Sequence, residues 1–202
     1  MYVKICGLQT QETVAAAVSA GADAVGFILA PGSVRTMTAD LVADLAATVP
    51  PGVETVGVFR NQPLGEVIAT ARQAQVSTVQ LHGDEPLTDI AQLQAEGFQT
   101  LRAFSIQAYR GLPEAQRLAW DQQRVLLDAV EPGAGVAFDP ALLAGATPRG
   151  FWLLAGGLTP GNVAELSAVV GPHGVDVSSG VETVRGTKDS ALIADFIAAA
   201  RC

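Results

Sequence analysis

The chain reads as an α/β protein, a closed parallel eight-stranded (β/α)8 TIM barrel forming one domain over residues 1–202, and three observations carry that expectation. Short β-rich runs alternate with Ala-, Leu- and Gln-rich stretches of helical length, punctuated by Gly, Pro or Asn. The runs number eight, about 25 residues per unit, near the lower limit for a closed barrel. They are also apolar on both faces, as strands are when helices cover one side and core side chains fill the other.

The units follow in order. Val3–Cys6 leads to a helix near Thr10–Ala20, Ala24–Leu29 to Thr38–Ala47, Thr55–Phe59 to Leu64–Ala74, and Thr78–Leu81 to Pro86–Glu96. Thr100–Ala103 leads to Leu112–Ala119, Val125–Asp128 to Pro140–Leu143, Phe151–Ala155 to Pro160–Val170, and Val175–Val177 to Ser190–Ala200. The fifth and sixth helices are the least defined. A doubly wound open sheet normally carries a G-x-G-x-x-G turn after its first strand, whereas here that turn reads Cys6-Gly7-Leu8-Gln9-Thr10.

With 49% hydrophobic and 16% charged residues, the composition excludes a disordered chain. A formal net charge of −8 repels nucleic acid and anionic membranes, and no basic patch overrides it. No apolar run reaches the roughly 18 residues needed to span a bilayer, and the N-terminus lacks a secretory pattern, so a cytoplasmic location is expected. Cys6 belongs at the top of the first strand and Cys202 at the end of a helix running toward the opposite face. Both are therefore read as thiols rather than a disulfide, and Cys202 as an inert terminal residue.

In a parallel barrel, residues at strand C-termini converge on one rim however distant in sequence. Cys6 ends the first apolar run and Asp128 the sixth, which suggests a proton-transfer pair. A thiol with an ordinary pKa of about 8.5 needs nearby positive charge to act as a base, and Arg35 is a candidate source. As a general acid, Asp128 needs its pKa raised by desolvation or a neighbouring carboxylate such as Glu131. The bland alternatives are a small buried hydrophobe at Cys6 and a loop-capping residue at Asp128.

Two late glycine-bearing turns give the next signal. Ala155-Gly156-Gly157-Leu158-Thr159-Pro160 follows strand seven, and Asp176-Val177-Ser178-Ser179-Gly180-Val181 follows strand eight. Loops seven and eight are where many barrels bind phosphate through backbone N–H groups and a short helix N-terminus. Ser179 can add hydroxyl and amide donors, while Thr159 as N-cap with Pro160 at N1 also fits plain turn chemistry. In loop two, Arg35 suits bidentate recognition of a carboxylate or is simply solvated. His82 either binds substrate or, with Asp84, caps the helix near Pro86. No His/Cys/Asp cluster has metal-ligand spacing, so neither a metal nor another cofactor is expected. Trp120 and Trp152 are read as packing residues.

Together these residues resemble the phosphoribosylanthranilate isomerase family over nearly the whole chain. The resemblance rests on Lys4-Ile5-Cys6-Gly7-Leu8, Gly26-Phe27 with Pro31 to Arg35, Val56-Gly57-Val58-Phe59, and Val79-Gln80-Leu81-His82-Gly83-Asp84-Glu85. It continues through Leu126-Leu127-Asp128, Leu154 to Pro160 with Asn162, and Gly174 to Glu182 with Gly186, Lys188 and Asp189. It implies a tryptophan-pathway isomerase that converts N-(5-phosphoribosyl)anthranilate to the 1-deoxyribulose 5-phosphate isomer by an Amadori rearrangement. Cys6 falls on the family's base, Asp128 on its acid and Arg35 on its carboxylate-binding arginine. Candidate substrate-binding residues are Arg35, His82, Gly156, Gly157, Asp176, Ser178, Ser179 and Gly180.

Two departures stand out. After the acid this chain reads Pro132-Gly133-Ala134-Gly135 and Phe138-Asp139-Pro140, where the family usually has a Gly-Gly-Ser/Thr-Gly turn and then Phe-Asp-Trp. Val34 replaces a frequent proline before Arg35. Two other readings compete: a related barrel synthase would need a catalytic Lys, for which only Lys4, which could point inward from the first strand run, and Lys188 exist, and a noncatalytic sugar-phosphate sensor would not need Cys6 with Asp128. The expected partner is a small phosphosugar, with the protein acting as a monomer or homodimer.

Overall fold

A computed structural model describes residues 1–128, 143 and 147–202. Its eight barrel strands are β1 (Tyr2–Cys6), β2 (Ala24–Ile28), β3 (Glu54–Phe59), β4 (Thr78–Leu81), β5 (Gln99–Ser105), β6 (Val125–Asp128), β7 (Trp152–Ala155) and β8 (Gly174–Val177). They pair in sequence order, all parallel, and β8 closes on β1 through Tyr2↔Gly174 and Ile5↔Val177. Their ends lie within one or two residues of the expected runs.

Alternation along the strands sorts side chains into two cores. Val3, Ile5, Val25, Phe27, Leu127 and Leu154 point outward into a continuous apolar shell under the helices. Leu101, Ala103, Leu126, Leu153 and Ala155 fill the barrel interior from the side of β5, β6 and β7. On β1, β4 and β8 the sequence-based expectation of strands apolar on both faces fails. Lys4, Gln80 and Asp176 are buried there at interior positions, and the balance between apolar and polar filling positions the site.

The covering helices are α1 (Gln11–Ser19), α2 (Ala39–Ala46), α3 (Leu64–Gln73), α4 (Leu87–Ala95), α5 (Ile106–Gly111), α6 (Glu114–Trp120), α7 (Val163–Val170) and α8 (Ser190–Ala200). Thr10 caps α1 by accepting from the Thr13 amide, and Asp189 caps α8 by accepting from the Ala191 and Leu192 amides. Three helix expectations are corrected. The helix expected over Leu112–Ala119 is α6, which starts only at Glu114 because Pro113 disfavours helical backbone at Leu112, which is extended, and the short α5 before it was not expected. The seventh helix starts at Val163 rather than Pro160, because a turn in which the Asn162 amide donates to the Thr159 carbonyl precedes it. Neither His82 nor Asp84 caps α4, whose N-cap is Pro86 with no side-chain bond. Of the sixth expected helix, Pro140–Leu143, all but Leu143 lies outside the described residues, as do Glu131 and the atypical turn after Asp128.

Trp120 and Trp152 are buried, as expected of packing residues. Cys6 is buried, Cys202 is exposed, and both are free thiols.

After β8 a single 3-10 turn (Ser179–Val181) runs into a small antiparallel hairpin, β9 (Glu182–Val184) with β10 (Thr187–Lys188), that the sequence reading did not anticipate. On the other side of the mouth, Arg102 of β5 is buried and donates to the carbonyls of Leu81, Gly83, Glu85 and Ala103. It thereby fixes the loop that carries His82. Glu85 completes the knot by accepting from the amides of Asn61 and Gly83. Arg102→Met should lower stability by about 3–5 kcal/mol, since it orphans buried carbonyls and the Glu85 charge at once. The urea midpoint checks this, and a loss below about 1 kcal/mol would deny the knot its structural role.

Candidate active site

A cavity of about 270 Å³ opens at the C-terminal ends of the strands. All ten residues singled out from the sequence line it: Cys6, Arg35, His82, Asp128, Gly156, Gly157, Asp176, Ser178, Ser179 and Gly180. Strand order explains the layout. From β1 to β6 the path is three steps through β8 and β7 and five the other way, so Cys6 and Asp128 stand on facing parts of the mouth.

Cys6 lies two residues above Lys4 on β1, on the same interior face. The Lys4 ammonium donates to Asp176 Oδ1 at 2.8 Å in a pair shielded from solvent. Burial raises the Cys6 thiol pKa and outweighs the rest: Lys4 and Lys188 pull it down, Asp176 adds to the rise, and the net direction is up. For Lys4 itself burial opposes the charge, but Asp176 and Cys6 outweigh it and raise its pKa, so Lys4 is an ammonium throughout the working range. Asp176 is thus engaged first with Lys4, beneath the rim.

Arg35 does not stand over Cys6 as an unpaired cation. Its Nε and Nη2 donate to the two carboxylate oxygens of Glu182 at 2.6 and 2.7 Å. Lys188 donates to the same carboxylate at 2.6 Å and to the Ser178 carbonyl and hydroxyl at 2.9 and 3.1 Å. Burial pushes Glu182 up, yet the hydrogen bonds from Arg35, Lys188 and the Gly186 amide hold it down at about 2. One buried carboxylate on the unforeseen hairpin therefore gathers two cations at the cavity edge.

On the far side, His82 Nε2 is 3.7 Å from Asp128 Oδ2, and His82 Nδ1 is 3.2 Å from Gln80 Nε2. Burial lowers the His82 pKa, so the imidazole is neutral near pH 7. With Gln80 donating to Nδ1, the ring proton sits on Nε2, toward Asp128. A larger cavity of about 490 Å³ adjoins at His82 and Asp128 and is walled by Phe104 and Trp120, whose rings meet edge-on at 5.1 Å.

Loops seven and eight bring main chain to the cavity wall. Gly156 and Gly157 both take left-handed backbone, with φ of 88° and 67°. A Cβ at Gly180 would run into the Leu158 carbonyl, so the two loops touch only because residue 180 has no side chain. Asn162 ties the turn together, accepting from the Thr159 amide at 2.7 Å and donating to the Gly157 carbonyl at 3.0 Å. Gly180→Ala should force the loops apart and raise KM for a phosphorylated substrate about tenfold or more, with kcat less affected. An unchanged KM would move the anion site elsewhere.

Sequence reasoning missed Gln80, Glu182 and the pairing of Lys4 with Asp176, though not that Lys4 could point inward. The alternation of β1 was a usable signal for Lys4, because Val3 and Ile5 face the helices and residue 4 must then face inward. Nothing in the local sequence indicated that Glu182 would reach back to Arg35. Among the described residues, no group of three or more His, Cys, Asp or Glu side chains could hold a metal ion, and no helix is long and apolar enough to cross a membrane.

Residues 3–199 match the family model described as N-(5'phosphoribosyl)anthranilate (PRA) isomerase. The N-(5'-phosphoribosyl)anthranilate isomerase of Geobacter metallireducens is 39% identical over 203 residues, covering 98% of each chain. The crystal structure of phosphoribosyl anthranilate isomerase from Thermotoga maritima superimposes with a TM-score of 0.90 at 36% identity, covering 100% of this chain and 98% of that one. A phosphoribosyl anthranilate isomerase in complex with reduced 1-(o-carboxyphenylamino)-1-deoxyribulose 5-phosphate gives a TM-score of 0.85 at 34% identity, with 100% and 98% coverage.

Proposed function

Because the chain belongs to the N-(5'-phosphoribosyl)anthranilate isomerase family, we propose that Cys6 and Asp128 carry out the family's aldose-to-ketose rearrangement as general base and general acid. The observation that carries this reading is the convergence of Cys6 and Asp128, from strands nearly opposite, on one cavity whose third wall is the glycine-bearing pair of loops.

Asp128 gives its proton to the furanose ring oxygen as the C1′–O bond breaks, and the anilino nitrogen supplies the electrons that form the Schiff base. Cys6, as thiolate, then takes the C2′ proton. The released electron pair makes the C1′=C2′ bond and neutralises the iminium nitrogen. Reprotonation of the resulting enolamine at C1′, with loss of the C2′ hydroxyl proton, delivers the ketone. Gly156, Gly157, Ser178, Ser179 and Gly180 hold the phosphate at the far end of the substrate, and that remote binding energy sets the sugar between acid and base. Arg35 binds the anthranilate carboxylate, sharing its fork with Glu182, and His82 with Asp176 completes the contact surface. The catalytic unit is a single barrel domain of a cytoplasmic enzyme. It acts as a monomer or homodimer.

The test is turnover. Purified protein supplied with N-(5'-phosphoribosyl)anthranilate should extinguish the substrate's anthranilate fluorescence and yield the ketose isomer. Binding without conversion would favour a sensor and overturn the enzymatic reading.

A further inference from the structure

The buried pair under Cys6 contrasts with the apolar half of the barrel interior. On β5, β6 and β7 the interior is filled by Leu101, Leu126 and Leu153, so apolar packing suits this space. Burying two charges there incurs a desolvation penalty that their attraction roughly offsets at best, which makes a buried ion pair weak evidence for a stabilising role. Yet Lys4 is fully buried and Asp176 nearly so, immediately below the thiol.

Cys6 pairs with Gly26 across the β1–β2 ladder. A Cβ built on Gly26 would stand 3.0 Å from Cys6 Sγ and 3.2 Å from Lys4 Nζ. The thiol and the ammonium therefore border one small space, left open because residue 26 is glycine. The other charged groups around Cys6 complete the picture. Asp176 faces it from β8 and Lys188 from β10. Arg35 reaches it from the loop after β2, Glu182 stands behind the last two cations, and His82 and Asp128 face it across the cavity. With the thiol protonated, the near side holds three cations, Lys4, Arg35 and Lys188, against two carboxylates, Asp176 and Glu182. A thiolate closes that balance.

We propose that Lys4 is a positioning residue for the reaction, its ammonium held by Asp176 beside Cys6 so that it offsets the burial that opposes the thiolate. Lys4 touches no reacting atom in this role and acts only through the sulfur. Asp176 has two opposed effects: it orients the ammonium, and its own negative charge works against the thiolate.

These opposed signs make the test. In a Cys202→Ser background, so that one thiol remains, the rate of Cys6 carbamidomethylation by iodoacetamide is followed against pH in the substrate-free protein. Lys4→Met should raise the midpoint by about one to three pH units, whereas Asp176→Asn should lower it. A general loss of packing would move both variants the same way. Should Lys4→Met fail to fold, the double variant Lys4→Met/Asp176→Asn leaves no unpaired charge, and its midpoint should lie above that of Asp176→Asn alone. The acid limb of kcat/KM should move with the midpoint in each variant that turns over. Midpoints that stay put, or that shift in one common direction, would overturn the proposal. It rests on Cys6 being the base, but the two can fail separately. Turnover retained in Cys6→Ala removes the base assignment, while alkylation reports the thiol's titration whatever its catalytic role.

Discussion

Cys6→Ala is expected to lower kcat by about 10²- to 10⁴-fold or more while leaving the affinity for a reduced product analogue near wild type. The residue is buried at the cavity wall, so truncation removes the sulfur without opening the barrel. On the proposed reading the phosphate and carboxylate contacts lie elsewhere and should continue to hold the ligand. Cys6→Ser separates basicity from shape, because a hydroxyl fits the same space but is far too weak a base near pH 7. Serine should therefore resemble alanine in rate. Single-turnover measurements with a calorimetric titration of the analogue make the comparison, and near-wild-type kcat in either variant assigns the base to another residue.

Asp128→Asn should produce a loss of similar size, about 10²- to 10⁴-fold in kcat, at the preceding step. Asparagine keeps the size and polarity of the side chain but has no acidic proton to give the ring oxygen. His82, 3.7 Å away, is the neighbour best placed to substitute. Burial lowers its pKa, however, so near neutral pH it has no proton of suitable acidity to offer. Residual activity that rises as the pH falls through the range where His82 protonates would identify the imidazole as a backup acid. Full activity at pH 7 would remove Asp128 from the role.

Much of this was legible in one dimension. The alternation of apolar runs and helical stretches sets eight units, and a parallel barrel converts eight strand ends into one rim. A thiol after the first run and a carboxyl after the sixth therefore had to share a mouth. The helix boundaries were less legible where proline or asparagine reshaped a terminus, as at Pro113 and Asn162. The glycines of loops seven and eight could be read as permissive turn residues. That Gly180 must lack a Cβ because of Leu158 could not be, since the two meet only once β7 and β8 lie side by side.

The sequence by itself determined the strand count, the placement of a thiol and a carboxyl on the rim, and the family of the chain, because hydrophobic period and motif order are properties of the linear string. The tertiary structure alone decided which charges meet. Arg35 was a candidate source of charge for Cys6; its guanidinium is also held by Glu182, 147 positions away, while a second cation beside the thiol comes from Lys4, steadied by Asp176 172 positions from it. Electrostatic coupling falls with distance through space and is set by burial, and neither quantity is written along the chain.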